Sequence, residues 1–189
     1  MADISKNLLV KGARGNVGKQ FVYRKHGDDT IITLMPVFDP DAPSSEEQQE
    51  TRNRFAAATC FARNILQSAD YKKAYRKKAT KGKTAHNIAI RDFLRPPVVK
   101  KIRTADYNGM PGSSIIIHAK DDFRVAAVKV SIFNADGTLL EEGHAFLSPV
   151  NLLTWTYTAT QTNAVPVGSL IRAVASDIPG NTAALEVFV

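Results

Sequence analysis

Four histidines, His26, His86, His118 and His144, and the lone thiol Cys60 are the side chains here best suited to hold a metal or attack a carbonyl. Their spacing argues against both. No pair of histidines stands in a His-Glu-x-x-His pattern, and one cysteine excludes an internal disulfide and a multi-cysteine zinc site. No Gly-x-Ser-x-Gly elbow presents a serine nucleophile. Cys60 sits among Ala58, Phe61 and Ala62, surroundings that predict a buried, inert thiol. The acids Glu141-Glu142 and Asp121-Asp122 are adjacent pairs, which a strand turns to opposite faces, so neither pair converges on one proton and both are expected at the surface. Asp121, Asp122, Asp177 and Asn181 could meet as oxygen ligands for calcium. Against that, Asp177 and Asn181 bracket Pro179-Gly180, where their side chains bond nearby backbone in a turn. No cofactor is implied.

The segment from Gly12 to Gly18 looks like a phosphate-cradling loop but lacks the lysine and hydroxyl residue of a P-loop, and a hairpin follows it where a helix is needed. Gly12, Gly15 and Gly18 are read instead as a backbone contact loop, permitting tight turns or close approach of another chain.

Charge is distributed in blocks. Residues 1–38 carry six basic and three acidic side chains, residues 39–70 three and six, residues 71–103 twelve and one, and residues 104–189 four and eight, for a net charge of +7. The basic block nominates Lys72, Lys73, Arg76, Lys77, Lys78, Lys81 and Lys83 as an interaction surface for nucleic acid, an anionic surface or the acidic parts of a second copy. Tyr71 and Tyr75 are at hand for stacking on bases. The opening MADISKNLLVKGARGNVGKQ has only the apolar run Leu8 to Val10, against the roughly 7–15 residues of a secretory signal. Nor does any window reach the ~18 apolar residues of a membrane span. Synthesis in the cytoplasm without a standard export signal is expected, with release as part of a particle.

The elements that must position these residues follow from hydrophobic period and turn chemistry. Phe21 to Arg24 and Thr30 to Leu34 are β-prone runs around a turn-rich separator, a β-hairpin. After the turn Asp39-Pro40-Asp41-Ala42-Pro43, a Ser-x-x-Glu capping box at Ser44 to Glu47 starts a helix running to about Gln67, its stripe formed by Phe55, Ala58, Ala62, Ile65 and Leu66. Further helices are predicted from Ala69 to Lys78 and from Thr84 to Leu94, the last ended by Pro96-Pro97. Beyond the prolines the texture changes to seven strand-like runs in about 90 residues: Val98–Arg103, Ser114–Ala119, Phe123–Phe133, Thr138–His144, Leu152–Ala159, Ser169–Ser176 and Thr182–Val189. That spacing is the spacing of a β-sandwich.

Trp155-x-Tyr157, followed by Gly168, Ile171, Ala175, Asp177, Gly180 and Asn181, resembles the closing strands of bacterial immunoglobulin-like modules, over about Pro97 to Val189. The resemblance implies a sandwich with a display, spacer or docking role and no catalysis. Modules of this kind also decorate phage particles and phage-like machines assembled without export. The expected fold is therefore α+β: a hairpin and helical assembly domain over 1–96, and a seven-stranded immunoglobulin-like sandwich over 97–189. The expected function is that of a non-enzymatic, self-assembling subunit of a phage-like particle, tube or filament. The alternatives are a nucleic-acid-associated basic protein and a carbohydrate- or receptor-binding adhesin.

Overall fold

The computed structural model describes residues 2–3, 10, 12–26, 29–37, 43–80 and 82–189. The turn expected at Asp39 to Ala42, Gly27-Asp28 in the hairpin separator, and Lys81 lie outside the described residues. The chain is α+β, with a hairpin and helices preceding antiparallel sheets. It forms two compact units, Met1–Gln49 and Glu50–Val189.

The first unit is a four-stranded antiparallel sheet in the order β1-β4-β3-β2, built from β1 (Ala2–Asp3), β2 (Gly15–Val17), β3 (Phe21–His26) and β4 (Asp29–Leu34). The expected hairpin is β3–β4, in register from Phe21 opposite Leu34 to His26 opposite Asp29. β2 joins β3 through a tight turn in which Gly18 and Lys19 both take positive φ, 60° and 55°. Asn16 Oδ1 caps that turn by accepting the Lys19 N–H at 2.9 Å. β-Branched and aromatic residues supply strand propensity, yet among the described side chains of this unit only Thr30 is buried. Its hydroxyl accepts the Gly12 N–H at 2.9 Å.

The three helices match the expected spans closely: α1 (Glu46–Ile65), α2 (Ala69–Lys78) and α3 (Ala85–Leu94). Ser45 caps α1 by accepting the Gln48 N–H at 3.3 Å, one residue on from the expected Ser44–Glu47 register. Thr84 caps α3 through the Asn87 N–H. Of the predicted α1 stripe, Ala58 and Ala62 are fully buried, Ile65 and Leu66 partly so, while Phe55 is 54% exposed. Cys60 is exposed, which corrects the expectation of a buried thiol: it stands two residues, about 200° of helix, from Ala58 and Ala62. Among the described residues no helix is long and apolar enough to cross a membrane.

All seven expected strands form after the proline pair, together with one short extra. β5 (Val98–Arg103), β6 (Ser114–Lys120), β10 (Thr154–Thr158) and β9 (Phe146–Leu147) make one antiparallel sheet in the order β5-β6-β10-β9. β12 (Thr182–Phe188), β11 (Leu170–Asp177), β7 (Val125–Phe133) and β8 (Leu139–His144) make the other, in that order. Inward residues of both, including Ile115, Ile117, Trp155 and Tyr157 from the first and Val128, Val130, Ile132, Ile171 and Ala173 from the second, share one core. The Asp136-Gly137 turn closes β7–β8, with Gly137 at φ 84° and its N–H bonded to the Asn134 carbonyl.

From Glu50 onward the helices belong to the same compact unit as the two sheets that follow them, across Pro96-Pro97, where the sequence texture changes. The physical reason is Phe123. Reaching from the β6–β7 connection into the helical core, it stacks on Tyr75 with ring centroids 3.9 Å apart.

Candidate interaction surface

α2 carries most of the basic block. Lys72, Lys73, Arg76, Lys77 and Lys78 are exposed on it, Lys83 is exposed beyond it, and Lys81 lies outside the described residues. Basic residues in its last turn oppose the negative end of the helix dipole. The helix buries Tyr75 on one side, so that ring is unavailable for base stacking, contrary to expectation. Tyr71 is also taken: the Arg124 guanidinium lies 5.6 Å from its ring centre.

Ala74, Lys77 and Lys78 of α2 form one wall of a cleft of about 990 Å³. Lys77 and Lys78 come from the helix, Lys120 and Arg124 from the β6–β7 region, and the apolar lining includes Trp155, Leu147, Leu152 and Leu153. All three leucines are exposed, Leu152 at 65%, Leu153 at 54% and Leu147 at 38%. Of these residues, Lys77 and Lys78 were expected at an interaction surface. The others come from chain segments far apart in sequence, and the expected strand from Leu152 concealed them. Instead of entering a strand, Leu152 adopts φ 54°, and Asn151 Oδ1 accepts the N–H groups of Leu153 and Thr154, delaying β10 to Thr154.

Beside the cleft lies a buried acidic cluster. The Tyr75 hydroxyl donates to Asp92 Oδ2 at 2.7 Å, and Asp92 is fully buried. Asp121 Oδ2 accepts the N–H groups of Phe123 and Arg124, both at 3.1 Å. The remaining oxygens, Asp92 Oδ1 and Asp121 Oδ1, are buried and have no donor among the described residues. A proton on Asp92 relieves the burial of a carboxyl with an unpartnered oxygen, and the nearby Asp121 charge opposes its loss. Burial, with the nearby Asp121 and Asp177 charges, pushes the Asp92 carboxyl up to about 7. Burial and the bond to Asp92 likewise raise the Tyr75 phenol far above its usual range.

The four residues weighed as calcium ligands are otherwise engaged. Asp122 pairs with Arg91 at 3.1 Å and Arg95 at 3.3 Å. Asp177 accepts from the Gly180 and Asn181 N–H groups and from the Asn181 amide, as the turn reading expects. Asn181 Nδ2 also reaches the Phe93 carbonyl at 3.1 Å, tying the turn to the end of α3. Among the described residues no group of three His, Cys, Asp or Glu side chains is placed to hold a metal.

Glu141 is a second correction: it is 7% exposed, not a surface residue. Its Oε2 accepts from the Tyr157 hydroxyl at 3.1 Å, the Thr160 N–H at 2.8 Å, the Thr160 hydroxyl at 2.7 Å and the Gln161 N–H at 3.3 Å. Burial beside that carboxylate pushes the Tyr157 phenol up to about 12. Glu142, on the opposite face as expected, pairs with Lys129 at 2.7 Å, which with Ser131 holds its carboxyl below the usual range.

Gly12, Gly15 and Gly18 take positive φ, and nothing lies within 4 Å of where a Cβ would stand on any of them. They serve backbone conformation here, with Gly15 inside β2 and paired to Tyr23 of β3.

No family model and no curated protein matches the sequence. Among solved structures, an engineered protein is similar over 50% of this chain at 17% identity and a TM-score of 0.34, the match spanning 19% of that protein's own length. CopC from Methylosinus trichosporium OB3b is similar over 48% of this chain and 87% of its own, at 14% identity and a TM-score of 0.34. Likenesses of that size establish no shared function.

Proposed function

We propose that the protein is a non-enzymatic structural subunit that associates with copies of itself through its N-terminal sheet and displays an immunoglobulin-like sandwich, in a phage-like particle, tube or filament. The observation that carries this reading is that, among the described residues, no apolar side chain of the first unit is buried. Both hydrophobic cores are built from residues of the second unit. A sheet must cover an apolar face to outweigh the entropy of ordering its strands. Val17, Phe21, Leu34 and Met35 instead remain exposed, a surface suited to burial against another chain. Head-to-tail repetition of such a contact closes into a ring or grows into a filament according to its rotation.

The sandwich half of the reading is supported by the seven strands at their expected places and by Trp155 and Tyr157 facing the core. Light scattering behind size exclusion tests assembly, with hydrogen exchange read at β3 and β4. Association that rises with concentration, together with slower exchange of the β3 and β4 amides in the associated form, is expected. A monomer at high concentration in both low and high salt, with those amides already protected, overturns the proposal.

A further inference from the structure

We propose that the cleft beside α2 docks an acidic peptide segment that carries large apolar side chains. This inference is independent of self-assembly, since every residue it uses belongs to the second unit.

The cleft combines two properties that seldom coincide without a partner. Its volume of about 990 Å³ lies at the upper end of built ligand sites, and its leucines leave an apolar surface open to water. Around that surface stand Lys77, Lys78, Lys120 and Arg124, and none of the four is in an ion pair among the described residues. The acid in the lining is Asp121, whose Oδ2 is occupied by two backbone N–H groups. The site therefore presents uncompensated positive charge over an apolar floor.

Charge complementarity requires an anionic occupant, and shape and chemistry select among anions. A lipid surface meets outermost side chains such as Val150 at 91% and Phe146 at 78% exposure, which lie outside the lining, whereas the cleft itself lies between α2, the β6–β7 connection and the leucines. Single-stranded nucleic acid is gripped by open aromatic faces. Here Trp155 is 6% exposed, Tyr75 is buried and Tyr71 is covered by Arg124. An extended or helical peptide with carboxylates toward the cationic rim and leucine-like side chains toward Leu147, Leu152 and Leu153 satisfies both requirements. Arg124, which lines the cleft, has its guanidinium against Tyr71 and donates to that hydroxyl at 3.5 Å.

Trp155 is the chain's single tryptophan and lines the cleft, so its emission reports occupancy. The probe is a synthetic peptide alternating glutamate with leucine, titrated into the full chain at low salt. Counterparts are the same peptide with glutamine for glutamate, an oligothymidylate, and vesicles containing phosphatidylserine. The expected result is a saturable emission change for the acidic peptide alone, weakened by added salt and about tenfold weaker in the Lys77→Glu/Lys120→Glu variant. Leu153→Ser, which keeps every charge, is expected to weaken it as well. Equal binding of the glutamine peptide, tighter binding of the oligonucleotide or vesicles, indifference to both variants, or no emission change at low salt overturns the proposal.

Discussion

Replacing Asp92 with asparagine is expected to stabilise the protein above neutral pH and to abolish most of its pH dependence between pH 5 and 8. In the folded chain the Asp92 carboxyl is held to about 7 by burial and by the facing acids Asp121 and Asp177, against about 3.9 in an unfolded chain. Below pH 4 the group is protonated in both states and contributes no difference. As pH rises from 4 to 7 the folded state retains a proton that the unfolded state has released. Unfolding stability therefore falls with pH across that window and levels off above it. At about 1.4 kcal/mol per pH unit the full loss is bounded by ~4 kcal/mol. Asp177, also raised chiefly by burial, adds to the fall with the same sign. Asparagine keeps an oxygen for the Tyr75 hydroxyl and carries no titrating proton. Urea unfolding followed by Trp155 emission, in the parent and in Asp92→Asn at pH 5 and pH 8, measures the effect. A parent at least as stable at pH 8 as at pH 5, or a variant equally destabilised at both, would refute the buried proton on Asp92.

Two further substitutions follow from single contacts. Glu141→Ala strips the acceptor from the Tyr157 hydroxyl, two groups of Thr160 and the Gln161 N–H at once. A loss of about 3 kcal/mol is expected by denaturant unfolding, with a smaller loss for Glu141→Gln, which keeps one oxygen. If both changes cost the same, the carboxylate is not what organises the 157–161 segment. Cys60, being exposed, is expected to react stoichiometrically with a maleimide in the native protein, and labelling only after denaturation would contradict the exposure.

Most elements were legible because their signals are local. The Asp136-Gly137 turn, the alternation of Val128, Val130 and Ile132 and of Trp155 with Tyr157, and the proline pair after α3 each act within a few residues, and the strands form there. The interaction surface was only half legible. Lys77 and Lys78 stand out as a charge run, but Lys120, Arg124 and the leucines reach them only through folding. Cys60 is exposed because its apolar neighbours in sequence do not share its side of α1: Ala58 and Ala62 stand two residues, about 200°, away.

Glu141 shows most clearly where pattern reading must stop. Strict alternation along Thr138 to His144 leaves no means of knowing which face is inward, and a bulge changes the answer midway. β8 pairs Leu139 with Phe133 but Glu141 with Ile132, so Leu140 is the extra residue, and the chain beyond it is turned over. Leu140 and Glu141 consequently both lie toward the interior, one packing on the core and the other carrying a charge into it. Gly143, next on that inward face, makes the carboxylate tolerable: a Cβ there would stand 2.9 Å from Tyr157 Cε2, so its absence lets the ring lie against the strand. The Tyr157 hydroxyl is thereby brought to Glu141. β7 repeats the device, since Asp177 pairs with Val125 and Ser176 with Ala127, which leaves Ala126 as the inserted residue. That insertion explains why Val125 and Val128, three apart, both belong to the core side. In both strands one inserted residue overrides the period of two, and the side chains just past it or before it can be placed only once the cross-strand register is known.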